Sequence, residues 1–304
     1  MGPGVSDANL GCGSSGPLAA VVGKRRPPAL HVMSWNIRRR MQYLFQREAD
    51  QWRVRAPRLR ALLEAEQPAL LGVQEALADQ VDFLIESLGG TYRAIGHGRD
   101  RRRADEQGPI IYDAQRMELL SWEQKALSNH PAQPGSMSWG NLVPRVLIEA
   151  LFQDRGTGQR LQMINTHFDH LSAHSRLRSA QVIARLVRGS EHPTVVTGDL
   201  NARPGSAPLA QLLSENTLLD ALDAAPRRVA TQWGTFAAYR APTSRRPRVD
   251  WILVSPDLLV HCAGINGRQH GGGWGSDHLP VQAVIEVPIA GLPHPHPEPG
   301  QHQA

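Results

Sequence analysis

Eight short apolar runs, each bounded by turn-forming or polar residues, constrain this chain more than any other feature. They read "LHVMSWNI", "ALLGVQE", "GPIIYD", "RVLIEALF", "LQMINTH", "TVVTGD", "VDWILVS" and "LPVQAVIEV". Such runs between Gly, Pro, Asn and Asp clusters predict strands. Several are apolar at successive positions rather than at alternate ones, the pattern of strands covered on both faces. Helical spacing appears between them. Val81, Leu84, Ile85 and Leu88 fall at i, i+3, i+4 and i+7 and predict a helix. Leu59, Leu62 and Leu63 predict another, which Pro68 ends, and Leu177, Ala180, Ala184 and Val187 a third. "DRGTG", residues 154–158, predicts a hairpin turn between two runs. Sheets packed on each other with helices outside them are the expected arrangement.

The 304 residues are enough for one large domain, and 41% hydrophobic with 20% charged content is globular. Residues 1–29 are rich in Gly, Ser and Pro and are expected to be unstructured. The Pro/His-rich stretch 289–304 is read as a disordered tail, its histidines an adventitious metal trap at most, which leaves one domain over 30–288. No apolar run is long enough for a membrane span, and the N-terminus lacks the basic start and apolar stretch of a secretory signal. Cys12 and Cys262 lie far apart, so no disulfide framework is expected and a cytoplasmic location fits. No obligate protein partner is inferred. The net charge is +5, carried almost wholly by arginine; Lys24 and Lys125 are the exceptions. Arginine forks match phosphate oxygens, but coding bias accounts for them equally well.

Polar residues recur at the edges of the runs: Asn36, Glu75, His167, Asp199 with Asn201, Asp250, and Asp277 with His278. One aspartate at a strand end is more often a cap or turn residue. Six such stations of acid, amide or imidazole in one domain are not explained by turns. Ligands of layered α/β proteins gather where loops from several strand ends converge. Two carboxylates roughly 4 Å apart repel by about 4 kcal/mol at an effective dielectric near 20, so a group of them needs a cation or a proton. Carboxylate and amide oxygens suit Mg²⁺ or Mn²⁺. His167, His170 and His174 raise zinc as a weaker reading, because they straddle a strand-to-helix junction without a Cys or Glu pattern. A hard cation, a carboxylate that deprotonates water and a histidine charged by a partner such as Asp250 suit cleavage of a phosphate ester.

From "MSWNIR" through "GVQEAL", "INTHFDH", "TGDLNARP" and "RVDWILVS" to "SDHLPV", the chain resembles the endonuclease/exonuclease/phosphatase superfamily. "GVQEALADQV", "IGHGRD", "NTHFDH" and "SRLRSAQ" look like its bacterial deadenylase-like branch. The resemblance implies a four-layer α/β sandwich, with two mixed, mostly antiparallel sheets flanked by helices. It implies a divalent-metal-dependent phosphoesterase using Mg²⁺ or Mn²⁺, with a nuclease or phosphodiesterase first and a phosphatase of a small molecule or lipid headgroup second. The substrate is then a phosphate ester, with nucleic acid the first candidate. By the same resemblance Asn36 and Glu75 hold the metal with Asp277 assisting, and Asp199 deprotonates the attacking water. Asn201 holds phosphate or water in register, His167 contacts the phosphate, His170 lines the same pocket, and His278, oriented by Asp250, stabilises the developing charge. Glu106 and Tyr112 in "DEQGPIIYD" match close relatives, whereas Gln107 and Ile111 depart from them.

Other features carry a bland reading first. "GRDRRRADE", residues 98–106, reads as a solvated loop in which Arg99 alone matches a family position. Arg145 opens a strand and either faces the site or forms a surface ion pair. Trp35 and Trp251 are expected in the core, and Trp139 and Trp274, amid glycines, at the surface. A non-catalytic binding protein on the same scaffold is disfavoured by the complete residue set. A DNA-binding module is disfavoured by the lack of zinc-finger spacing or a basic helix.

Overall fold

The computed structural model describes residues 20–41 and 45–288. The chain begins with β1 (Leu30–Asn36), α1 (Trp52–Glu66), β2 (Leu70–Gln74), α2 (Ala78–Leu88), β3 (Tyr92–Ile95) and β4 (Ile110–Asp113). Next come β5 (Met117–Ala126), β6 (Val146–Asp154), β7 (Arg160–His167), α3 (Ala173–Arg188) and β8 (Thr194–Asp199). It closes with α4 (Ala207–Leu213), β9 (Leu219–Asp220), α5 (Ala221–Ala224), β10 (Asp250–Val254), β11 (Leu259–Ile265) and β12 (Val281–Glu286).

Two six-stranded sheets result, in the orders β11-β12-β1-β2-β4-β3 and β5-β6-β7-β8-β10-β9. Each has one parallel pair, β1 with β2 and β7 with β8, and is otherwise antiparallel. A helix bridges each parallel pair, as a crossover between parallel neighbours requires. The apolar face between the sheets holds Val32, Leu70, Ile148, Met163, Val195, Ile252 and Ala283. The outer face of the first sheet packs Met33, Trp35 and Val73 on Leu59, Leu63 and Leu84 of α1 and α2. The outer face of the second packs Ile164, Val196 and Leu253 on Ala180, Ile183 and Leu209 of α3 and α4. The inner strands are therefore covered on both sides, and each large aliphatic side chain so buried contributes roughly 1.5–3 kcal/mol. The expected α/β sandwich of helix, sheet, sheet and helix is the observed fold.

All eight runs form strands, and the three stripes form α1, α2 and α3. Glu66 ends α1, and Gln67 follows in the left-handed region at φ 40°, ahead of Pro68. Ser172 caps α3 by accepting from Ser175 N at 3.1 Å. The turn at 154–158 closes through Gly158 N donating to Asp154 O at 2.7 Å, with Gly158 at φ 73°. The strands without an apolar run, β3, β5, β9 and β11, are the four sheet edges. An edge strand has one exposed flank, so it can be short or amphipathic.

The sheets are also joined by a polar pin. Asn165, fully buried on β7, donates to Val73 O (2.8 Å) and Gly108 O (2.9 Å) across the sandwich. Its oxygen accepts from Gln74 Nε2 and Thr197 Oγ1, each at 2.9 Å. Gly72 makes room: a Cβ there would lie 2.2 Å from Thr197 Oγ1 and 2.5 Å from Asn165 Oδ1.

Two expectations are corrected. Residues 20–29 are not loose: Val21 and Val22 are buried with Cys262 and Val284. The buried Glu66 carboxylate accepts from Val21 N (2.7 Å), Val22 N (3.0 Å) and Gly23 N (2.8 Å). Charged acceptors paired with otherwise orphaned main-chain donors give strong hydrogen bonds. Cys262 is disulfide-bonded, so the expectation of a chain without disulfides fails, and with it the cysteine argument for a reducing compartment. Cys12, the rest of 1–29 and the tail 289–304 lie outside the described residues.

Candidate active site

The paired sheets determine where the polar stations meet. β1, β2, β7 and β8 end at one rim, while β10 and β12, antiparallel to β8 and β1, start there. Asn36, His167 and Asp199 are last residues of their strands, Glu75 follows β2, Asp250 opens β10, and Asp277 and His278 precede β12. In register, Asp199 lies opposite both His167 and Asp250. Glu75 and Asn201 have φ of 63° and 45°. Left-handed backbone is strained for a glutamate, and such strain gathers at functional sites.

Asn36 is the hub, its Nδ2 donating to Glu75 Oε1 and Asp199 Oδ2, each at 3.0 Å. The second Asp199 oxygen accepts from Asn201 N at 2.9 Å. His278 Nδ1 lies 2.8 Å from Asp250 Oδ2, and its Nε2 lies 3.9 Å from Asp199 Oδ2. Ser276 Oγ donates to Asn36 O (2.7 Å) and Trp35 Nε1 to His278 O (3.0 Å), tying the segment before β12 to β1. The Phe236 ring packs on His278 at 5.0 Å. Asn201 Nδ2 donates to His167 Nε2 at 3.2 Å, which makes that nitrogen an acceptor and the ring neutral. Beside them Arg145, 3% exposed, reaches Asp169 Oδ2 (3.4 Å) and His170 Nδ1 (3.0 Å). These groups line or back a cleft of about 730 Å³.

Electrostatics separate the groups. Burial opposes charge on His278, but Asp250, Asp199 and Asp277 outweigh it and raise the pKa to about 10, so the ring is an imidazolium. Burial and the Arg145 charge push His167 well below the ordinary range. Burial, reinforced by Asp250, lifts Asp199 to about 7. Burial alone would raise Glu75, yet the Asn36 bond and the His278 and Arg38 charges hold it low and ionised. Burial raises Asp277, with Glu75 adding to the effect and His278 opposing it.

Asp199, Asp250 and His278 offer three donor atoms within 4.8 Å of one another. In that buried trio His278 is hydrogen-bonded to Asp250 and only near Asp199, and it is not an ion cage, because the imidazolium has no free lone pair. Glu75, Asp277 and Asn36 fit a divalent cation better. The Arg38 guanidinium already sits between the two carboxylates, 3.8 Å from Asp277 Oδ2 and 4.0 Å from Glu75 Oε2, yet its Nε makes no hydrogen bond among the described residues. The acids thus face a position that favours positive charge, and their oxygens, with Asn36 Oδ1, form a hard donor set.

Every candidate from the sequence reaches this rim except His174, which is exposed on the first turn of α3. The three-histidine zinc reading therefore has no geometric support. In the Arg-rich loop, Arg99 lines the cleft and pairs with Glu106 and Asp105, while Arg101, Arg102 and Arg103 are exposed. Both readings of Arg145 hold in part: it faces the cleft and forms an ion pair, but a buried one. Trp35 and Trp251 are core, whereas Trp139 and Trp274 are half-buried rather than at the surface. The sequence did not announce Arg38, Asp169 or Phe236, whose charge or ring carries no strand-end signature.

Among curated protein sequences none matches the chain significantly. Among solved structures, the endonuclease/exonuclease/phosphatase from Bacteroides vulgatus is similar at 30% identity and a TM-score of 0.79, covering 86% of this chain and 99% of that one. A mannosyl-6-phosphatase of Bacteroides thetaiotaomicron VPI-5482 is similar at 26% identity and a TM-score of 0.78, over 84% and 99%. The human nocturnin catalytic domain with bound sulfate, at 18% identity and a TM-score of 0.64 over 86% and 95%, shares the fold. The profile of the Endonuclease/Exonuclease/phosphatase family matches residues 33–278. That span runs from within β1 to the histidine of the dyad, the same stretch that assembles the rim, and the chain belongs to this family.

Proposed function

We propose that the protein is a divalent-metal-dependent phosphoesterase that hydrolyses its substrate by direct attack of water on phosphorus. The observation that carries this reading is the convergence of Asn36, Glu75, Asp199, Asp277 and the His278–Asp250 dyad in one cleft. Asn36, Glu75 and Asp277 hold Mg²⁺ or Mn²⁺, which when bound polarises the phosphate and neutralises its charge. Asp199, with one oxygen held by Asn201 N and a pKa near 7, is a base matched to neutral pH. It takes the proton of the attacking water as the oxygen–phosphorus bond forms and the ester oxygen leaves. His278, kept charged by Asp250, donates to the oxygens on which negative charge builds. Asn201 orients Asp199 and His167, and Arg145 with His170 receives the remaining phosphate oxygens.

For the substrate, a small phosphorylated alcohol is supported by the relative named a mannosyl-6-phosphatase. A cleft of about 730 Å³ is of small-ligand size. A nuclease, the first expectation, is supported by the +5 net charge and the deadenylase-like motifs alone. The test is a panel of sugar phosphates, inositol phosphates, sphingomyelin, single-stranded RNA and DNA with Mg²⁺ or Mn²⁺, run on wild type and Asp199→Asn. Hydrolysis by wild type with loss in the variant is expected. Near-wild-type turnover by a folded Asp199→Asn protein overturns the assignment of the base. Steep loss of substrate affinity with salt selects the polyanion class.

A further inference from the structure

Arg55 lies in the first turn of α1 and is 0% exposed. Its five N–H groups all end on main-chain carbonyls. Nε donates to Asp50 O (3.0 Å), Nη1 to Ile37 O (2.7 Å) and Gly275 O (3.3 Å), and Nη2 to Arg38 O (3.1 Å) and Arg39 O (3.3 Å). The carboxylate it approaches, Asp50, keeps its Oδ1 3.8 Å from Nε, too far for a hydrogen bond. A buried charge whose hydrogen bonds all go to dipoles, with only the Asp50 carboxylate at 3.8 Å and the Trp52 ring at 5.3 Å besides, is expensive to keep. The next buried positions of this helix, Leu59, Leu62 and Leu63, are apolar, and the other buried charge, Glu66, lies three turns away at its far end, so local packing does not require an arginine here.

Four of the five carbonyls it gathers belong to two segments that carry or adjoin candidate metal ligands. In the first, Arg38 N donates to Asn36 Oδ1 (3.0 Å) and Arg39 N to Glu75 Oε2 (3.3 Å). Arg38 holds this path in the left-handed region at φ 59°. In the second, Gly275 leads into Ser276, which bonds Asn36 O, and Asp277. Gln80 clamps the first segment from its other side, donating to Arg38 O (3.2 Å) and accepting from Arg40 N (2.9 Å).

We infer that Arg55 is a positioning residue for the metal ligands, its planar fork fixing segments 37–39 and 275–277 so that Asn36, Glu75 and Asp277 aim at one cation. This rests on the ligand assignment proposed above. Lysine cannot substitute: it keeps the charge but offers three donors without the fork.

The test measures Mn²⁺ affinity by titration calorimetry and thermal unfolding of the metal-free protein, for wild type, Arg55→Lys and Leu59→Ala. Arg55→Lys is expected to weaken Mn²⁺ binding by roughly 10–100-fold, the usual effect of losing an outer support of a metal ligand. Leu59→Ala, a cavity on the same helix, is expected to lower the melting temperature and leave Mn²⁺ affinity within about twofold. A folded Arg55→Lys protein with unchanged affinity overturns the inference, as does equal weakening by Leu59→Ala. If Arg55→Lys does not fold, Gln80→Leu removes the other clamp: weaker Mn²⁺ binding supports the inference, and unchanged binding overturns it. Wild type that binds no Mn²⁺ instead overturns the metal reading itself, a result separate from these.

Discussion

Replacing Asp250 with asparagine removes one charge and keeps the shape of the dyad. Wild-type His278 stays protonated until its pKa near 10, because Asp250 at 2.8 Å and the charges of Asp199 and Asp277 outweigh its burial. A raised pKa means that the charged form, and the stability it brings, is fully present below the unfolded value of about 6.5. Both are lost as pH rises through about 10. Without Asp250 the burial penalty remains while its largest counterweight is gone, which brings the ring to its ordinary value or lower. A histidine at about 6.5 is roughly 3% protonated at pH 8, so kcat is expected to fall at least about 30-fold there. The deficit should grow by about tenfold per further pH unit and all but vanish, to about 1.3-fold, near pH 6. The assay is kcat against pH from 6 to 9 at saturating metal, with circular dichroism confirming the fold. A variant slowed by the same factor at every pH would refute the argument, since the dyad would then act through orientation and not through charge.

Asn165→Leu leaves Val73 O, Gly108 O and Thr197 Oγ1 short of a partner and should cost about 3 kcal/mol or more by urea denaturation. A loss below about 1 kcal/mol would show that the sheets do not need their polar pin. Glu66→Gln turns an amide toward the main-chain donors of Val21, Val22 and Gly23 and should lower stability by about 2 kcal/mol. It lies at the opposite end of β1 from Asn36, so kcat is expected to be unchanged; a fall in kcat matching the fall in stability would contradict that separation.

The inner framework was legible because burial on both faces leaves a mark in one dimension, an unbroken apolar run. The polar station at the end of each run stood out against it, which is why Asn36, Asp199 and Asp250 were found and do meet. β3, β5, β9 and β11 left no such mark: one flank meets solvent, and "MELLSWEQKA" alternates too irregularly to declare itself. Arg55 was invisible for a different reason. "WRVRAPRLRALLEAE" has arginines at four positions, and nothing local separates one that turns inward from three that do not. Asn165 was hidden likewise, as one polar residue inside a strand whose meaning depends on the sheet opposite.

The strand order also sets a timetable for folding. β12, the last strand among the described residues, lies inside its sheet between β11 and β1, whereas the whole second sheet is a continuous excursion through residues 117–254. During synthesis β1 therefore waits with one hydrogen-bonding flank open until some 250 more residues have left the ribosome. Asp277 and His278 arrive with the same closing segment. On the proposed mechanism, hydrolysis cannot begin before that segment arrives, and the open flank of β1 is where a stalled or truncated product would pair with a neighbour.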